Sequence, residues 1–129
     1  MNHLDTLLKP RSIAVVGASQ RETRAGYIVM NNLLHGDFKG AVMPVTPKYN
    51  SVAGVLSYKN ILSLPIVPDL AILCTNATRN VAIFEELAEK GIASVIVLSS
   101  DMQQQSDNGE TYDARCLAIA KKHNIRVLG

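Results

Sequence analysis

Tryptophan is missing from this sequence, and aromatic residues make up only 5% of it. The interior therefore has to be filled by Val, Ile, Leu and Ala, the usual filling of a buried parallel sheet. Cations are not clustered: Lys121-Lys122 is the only adjacent pair, and no aromatic is interleaved with basic residues to stack on bases. With a net charge of +2, no nucleic-acid partner is expected. No apolar run approaches the roughly 18–20 residues that span a bilayer, so no membrane partner is expected either. Met1-Asn2-His3-Leu4-Asp5 lacks the charged-then-apolar layout of a signal peptide. The two cysteines, Cys74 and Cys116, sit in separate elements and form no C-x-x-C. They are no disulfide framework, and reduced thiols in a cytoplasmic protein are the expectation. His3, His35 and His123 have no metal-ligand spacing, so no metal site is expected.

What is present is a core. The chain has 129 residues, 47% of them hydrophobic and 19% charged, which suits one folded domain. Short apolar runs alternate with amphipathic stretches. Ser12 to Gly17 reads as a strand ending in a glycine turn. Arg24 to Gly36 reads as a helix, with Ala25, Ile28, Val29, Asn32 and Leu33 along one stripe. Ala41 to Thr46 is the next strand, and Val52 to Ser57 a short further one with Gly54 inside it. Leu70 to Thr75 is a buried-strand run. Thr75 or Asn76 caps a helix that carries Val81, Phe84, Leu87 and Ala88 inward and stops at Gly91. Ser94 to Ser99 is a strand, Asp101 to Gly109 a polar loop, Tyr112 to His123 a helix and Ile125 to Leu128 a last strand. This order predicts an α/β fold, a Rossmann-like doubly wound parallel sheet with helices on both faces. The chain stops directly after a strand, which leads us to expect residues 1–129 to be one N-terminal domain of a longer multidomain protein.

Ligands of open parallel sheets bind at the carboxyl ends of the strands, near the point where strand order reverses. That rule selects the loop from Gly17, Ala18, Ser19 and Gln20 to Arg24; Thr46, Pro47 and Lys48; Cys74, Thr75 and Asn76; and Ser99, Ser100 and Asp101. Gly17 allows the sharp turn, and the helix after it offers free N–H groups to phosphate. A tight turn with no ligand is the plainer alternative. The dinucleotide pattern G-x-G-x-x-G is not met, since Gly26 comes too late. Nor does the second strand end in the carboxylate that holds the ribose of NAD. Lys48 stands there, which suits a phosphorylated ribose, as in NADP or coenzyme A; a merely solvated lysine is the other reading. No P-loop and no G-x-S-x-G elbow is present. Cys74, at the end of a buried strand, reads as a packed thiol. No catalytic residue is identified.

Leu7-Leu8-Lys9-Pro10-Arg11-Ser12-Ile13-Ala14-Val15-Val16-Gly17-Ala18-Ser19 resembles the opening of the CoA-binding domain of NDP-forming acyl-CoA synthetases. So do Gly36-Asp37-Phe38-Lys39-Gly40, Pro44-Val45-Thr46-Pro47-Lys48, Gly54 followed by Tyr58, and Leu64-Pro65 with Pro68-Asp69-Leu70. The resemblance runs through nearly the whole chain. Arg24-Ala25-Gly26-Tyr27 and Leu73 to Asn80 are further similar to bacterial protein lysine acetyltransferases, which fuse such a region to a GNAT domain. More distantly the chain resembles the α subunit of succinyl-CoA synthetase. Ala18-Ser19-Gln20 matches that subunit's phosphate-contacting turn. Lys48 lies one residue off the spacing of its CoA-binding lysine. Thr75-Asn76 and Ser99-Ser100-Asp101 match segments flanking the rest of the cofactor, although the family's frequent Gly-Phe continuation is missing after the latter. None of the three histidines matches the phosphorylated histidine of the family, which belongs to the following domain.

The resemblance implies a module that binds coenzyme A or acetyl-CoA, works with downstream domains of the same chain, and is inactive by itself. It implies a lysine acetyltransferase as the full-length protein, with an ADP-forming acetyl-CoA synthetase as the alternative. An NAD(P)-sensing module is the third reading.

Overall fold

The computed structural model describes residues 7–129. The readings of Met1 to Asp5 and of His3 lie outside the described residues. The elements run β1 (Ser12–Val16), α1 (Ala25–His35), β2 (Ala41–Val45), β3 (Ser51–Val52), β4 (Val55–Leu56), a 3₁₀ turn (Ile61–Ser63), β5 (Leu70–Leu73), α2 (Ala77–Lys90), β6 (Ser94–Val97), α3 (Tyr112–Lys122) and β7 (Arg126–Leu128). Five strands form one parallel sheet in the order β2-β1-β5-β6-β7. The fold is thus the expected Rossmann-like α/β arrangement. No helix among the described residues is long and apolar enough to cross a membrane.

Alternation along each strand decides which core a side chain joins. Ile13 and Val15 point to the α1 face, where they pack with Met30, Val52, Leu70 and Ile72. Ala14 and Val16 point to the other face, with Phe84, Leu87, Cys116 and Ala120 of α2 and α3. Both faces of β1 are buried, which is why its sequence reads as a continuous apolar run. Fully buried side chains such as Phe84 and Leu87 each contribute about 1.5–3 kcal/mol of burial energy.

β1 and β5, far apart in sequence, are neighbours at the centre of the sheet. Two hydrogen bonds clamp their amino ends. The Arg11 amide donates to Asp69 Oδ2 at 2.8 Å, and the Asp69 amide donates to Ser12 Oγ at 2.9 Å.

α2 ends as its sequence predicts. Gly91 takes a φ of 87°, and its N–H reaches the carbonyls of Leu87 and Ala88 at 3.0 and 3.1 Å. At the start of α2, Asn76 occupies the N-cap position but makes no side-chain capping bond. Thr111 caps α3, its Oγ1 accepting from the Ala114 amide at 3.0 Å.

Two expectations are corrected. The run Val52 to Ser57 is a hairpin of β3 and β4, turned by Ala53 and Gly54 at φ 51° and 82°. Two consecutive positive φ values are those of a type I′ turn, which twists in the sense that paired strands need. The inward stripe of α1 is Gly26, Val29, Met30 and Leu33, with Gly26 and Met30 buried; Ala25, Ile28 and Asn32 face outward. The cause is a steric contact at Gly26, which belongs to the site.

Candidate functional site

The carboxyl ends of β1, β2, β5 and β6 open into a cleft of about 840 Å³. It lies where strand order reverses: α1 leaves β1 toward β2, and α2 leaves β5 over the opposite face.

The turn after β1 is held by its backbone. Gly17 sits at φ 86°, and a Cβ there would lie 2.7 Å from the carbonyl oxygen of Cys74. The Gly17 amide donates to the Val45 carbonyl at 2.9 Å, and Ser19 Oγ accepts from the Arg21 amide at 3.0 Å. The first turn of α1 presses onto this loop. A Cβ on Gly26 would stand 2.0 Å from the Gly17 carbonyl oxygen. Gly26 comes too late for the dinucleotide spacing, yet it permits the close helix-to-strand approach that the third glycine of that pattern serves. It also fixes which side of α1 faces inward.

Beyond β2, the Thr46 amide donates to the Tyr58 carbonyl at 2.8 Å, and Thr46 Oγ1 accepts from the Lys48 amide at 3.2 Å. Thr46 is buried and Pro47 and Lys48 are exposed. The Lys48 ammonium lies 5.5 Å from the centre of the Tyr49 ring, within reach of a cation–π contact. Because the hairpin folds the chain back, Lys59 returns to the same rim. Its ammonium donates to the Pro47 carbonyl and to Asn50 Oδ1, each at 3.4 Å.

The ends of β5 and β6 are joined by a side chain from α2. Asn80 is fully buried. Its Oδ1 accepts from Thr75 Oγ1 at 2.5 Å, and its Nδ2 donates to Ser99 Oγ at 2.8 Å and to Met102 Sδ at 3.3 Å. Cys74 also lines the cleft, and burial pushes its thiol up to about 11. It stays protonated at neutral pH, as a packed thiol does.

Gly17, Ala18, Ser19, Arg24, Thr46, Pro47, Lys48, Thr75, Asn76, Ser99 and Ser100 all line this one cleft. Gln20 lies outside the lining; its Oε1 accepts from the Ala53 amide at 3.2 Å and braces the hairpin against the first loop. Sequence reasoning passed over Lys59 and Glu86; Arg21 lies within the first loop it selected and Arg79 within the stretch Leu73 to Asn80. With Arg24 and Lys48, the lining then holds five cations (Arg21, Arg24, Lys48, Lys59, Arg79) against one carboxylate, Glu86. A single anion is over-matched by such a set; a ligand with several phosphates is not. Coenzyme A, with a diphosphate and a ribose 3′-phosphate, fits that charge and a cleft of this size.

Known proteins give the same direction. Residues 11–129 match the family described as CoA binding domain. The chain is 35% identical over 126 residues to acetate–CoA ligase [ADP-forming] II of Archaeoglobus fulgidus, covering 98% of this chain and 19% of the ligase. It is 33% identical over 123 residues to 4-hydroxybutyrate–CoA ligase [ADP-forming] of Nitrosopumilus maritimus, covering 95% of this chain and 18% of that enzyme. Among solved structures, acetyl-coenzyme A synthetase 1 of Ca. Korarchaeum cryptofilum, in complex with phosphate and ADP, superposes with a TM-score of 0.89 at 28% identity. That match covers 100% of this chain and 27% of the synthetase. The chain thus spans less than a fifth of the length of these two curated relatives.

Proposed function

The chain belongs to the CoA-binding domain family, and from that premise we propose that it forms the coenzyme A site of an ADP-forming acyl-CoA ligase. The observation that carries this is the cleft at the strand-order reversal, lined by five cations and one carboxylate. In our reading Arg21 and Arg24, with the free N–H groups at the start of α1, hold the diphosphate. Lys48, just beyond β2, takes the 3′-phosphate, because the ribose lies there in doubly wound nucleotide folds. Gly17 and Gly26 keep the backbone low enough for the phosphates to approach. When bound, coenzyme A supplies the thiol that accepts an acyl group.

Further domains of the same chain supply the rest of the reaction in this proposal. The relatives are ADP-forming CoA ligases, of which this chain covers 19% and 18%. They favour the ligase over the lysine acetyltransferase expected from Arg24–Tyr27 and Leu73–Asn80. An acetyltransferase fused to the same cofactor domain is the second reading, and those two stretches are what supports it. In either case the isolated domain makes no acyl-CoA and acetylates no lysine.

Thermal-shift titration of the 129-residue chain with coenzyme A, NADP and NAD tests the proposal. A ligand that binds only the folded state raises the melting temperature with its concentration. Coenzyme A is expected to do so at lower concentration than either dinucleotide. Stabilisation by NAD alone overturns the reading.

A further inference from the structure

We propose that Asn80 is a positioning residue that fixes the hydrogen-bonding sense of the cleft's two hydroxyls, so that Ser99 meets the ligand as a donor and Thr75 as an acceptor. The inference rests on the coenzyme A reading and says which part of that ligand lies over the ends of β5 and β6.

The argument starts from Met102. A thioether sulfur has no hydrogen to give, so the amide group of Asn80 that faces it at 3.3 Å has to be the nitrogen. The oxygen then faces Thr75. An amide oxygen only accepts, so the single hydroxyl hydrogen of Thr75 is spent on it. Ser99 is in the opposite state. Its oxygen already accepts one of the two Nδ2 hydrogens, and its own hydrogen is left over. Both N–H bonds of Asn80 and one of its two acceptor directions are engaged. Burial makes this arrangement stiff, because in a low-dielectric interior each of these groups is costly to leave unpaired.

Thr75 and Ser99 both line the cleft. Toward the ligand, then, Ser99 at the β6 end offers a hydroxyl hydrogen, while the hydroxyl of Thr75 at the β5 end offers only lone pairs. A phosphate is made of acceptors and would meet the lone pairs of Thr75 unfavourably. The group that suits the pair carries a donor beside an acceptor, as a secondary amide does. In coenzyme A such amides belong to the pantetheine arm. The phosphates are left to Arg21, Arg24, Lys48 and Lys59 on the other rims, and the arm runs past Thr75 and Ser99.

Calorimetry with two ligands and four variants tests this. The ligands are coenzyme A and 3′-phosphoadenosine 5′-diphosphate, which keeps every phosphate-bearing part and lacks the arm. Ser99→Ala is expected to weaken coenzyme A about five- to tenfold and to change the shorter ligand by less than about twofold. Asn80→Leu, of similar size, is expected to show the same selective loss. The double variant Asn80→Leu/Ser99→Ala is expected to lose little more than either single one, because Asn80 acts through Ser99. Thr75→Val keeps the shape and removes the acceptor, with the same selectivity expected. A general loosening of the fold weakens both ligands together, so equal losses overturn the proposal, as does an additive double variant or an unchanged affinity for coenzyme A. If Asn80→Leu fails to fold, Ser99→Ala and Thr75→Val decide it: both selective supports the proposal, either one neutral or unselective overturns it. If the unaltered domain binds neither ligand, the coenzyme A reading itself falls and takes this inference with it.

Discussion

The two rims of the cleft reach the same end by different physical means. On the β1 side, position is set by what is missing: no side chain at Gly17 and none at Gly26, so that backbone meets backbone. On the β5–β6 side, position is set by what is added, a buried asparagine that ties two hydroxyls and a thioether. Steric contact is all-or-none, because a carbonyl oxygen does not yield to a methyl group. Hydrogen bonding is graded, and it carries chemical sense as well as position. The glycine rim therefore fixes where a ligand can lie, and the bonded rim bears on which of its groups lies there.

Breaking the steric rim has the largest expected effect. Gly26→Ala places a Cβ 2.0 Å from the Gly17 carbonyl oxygen. Helix propensity favours Ala by about 1 kcal/mol, but a clash of this depth outweighs it. We expect a net loss of about 3 kcal/mol or more, read as a lower urea midpoint. Gly17→Ala comes next. Its strained φ costs about 1–2 kcal/mol before the 2.7 Å approach to Cys74 adds to it. An unchanged midpoint in either variant would show that the rim is not held by contact.

Asn80→Ala breaks the bonded rim. It leaves a hole and releases both hydroxyls, and we expect a loss of about 2 kcal/mol. Asn80→Ser, which keeps a polar group, should recover part of it; denaturation curves of the two variants make the comparison.

Lys48→Ala sharpens the contrast from outside both rims. Its ammonium is exposed, so folding should hardly change, while coenzyme A binding weakens by about 1 kcal/mol and by less at high salt. Dephospho-CoA, which lacks the 3′-phosphate, should bind the variant and the unaltered chain alike. Calorimetry on the four combinations isolates the contact, and equal losses would remove Lys48 from the 3′-phosphate.

The smallest effect is one of pH. Burial pushes the thiols of Cys74 and Cys116 up to about 11 from an ordinary 9.0, and Asp113 adds to the rise at Cys116. A thiol whose folded value is raised contributes its full stabilisation below the unfolded value. That contribution is lost as pH climbs from about 9 to about 11. Nothing should change near neutrality. Urea midpoints measured through that window should fall less steeply in Cys116→Ala than in the unaltered chain, and parallel slopes would refute it.

Much of this was legible in the sequence because it follows from long-lived patterns. Ser12–Val16 and Leu70–Leu73 are apolar runs buried on both faces, and strand topology then places the cleft without reference to any single residue. The hairpin was illegible because strands of two residues have no periodicity to read; only its turn residues mark it. Asn80 was passed over because an asparagine within an amphipathic pattern reads as surface. Its burial depends on where Thr75, Ser99 and Met102 arrive, which is tertiary information. Lys59 looks like any solvated cation until the hairpin brings it to the rim. Gly26 was weighed against a fixed spacing, whereas what matters is the distance between a helix and a carbonyl.

The central pairing of β1 with β5 sets a timetable for assembly. Arg11 and Asp69 are 58 residues apart, yet their clamp closes the middle of the sheet. Pairing so distant in sequence carries a loop-closure cost and slows folding, while α2 and its turn can form from local contacts alone. Until that pairing is made, the Gly17 turn and the Thr75 segment do not face one another and the cleft has only half its walls. A nucleotide added to the unfolded chain should therefore leave the refolding rate nearly unchanged. Added to the finished domain, it should slow unfolding in proportion to its affinity.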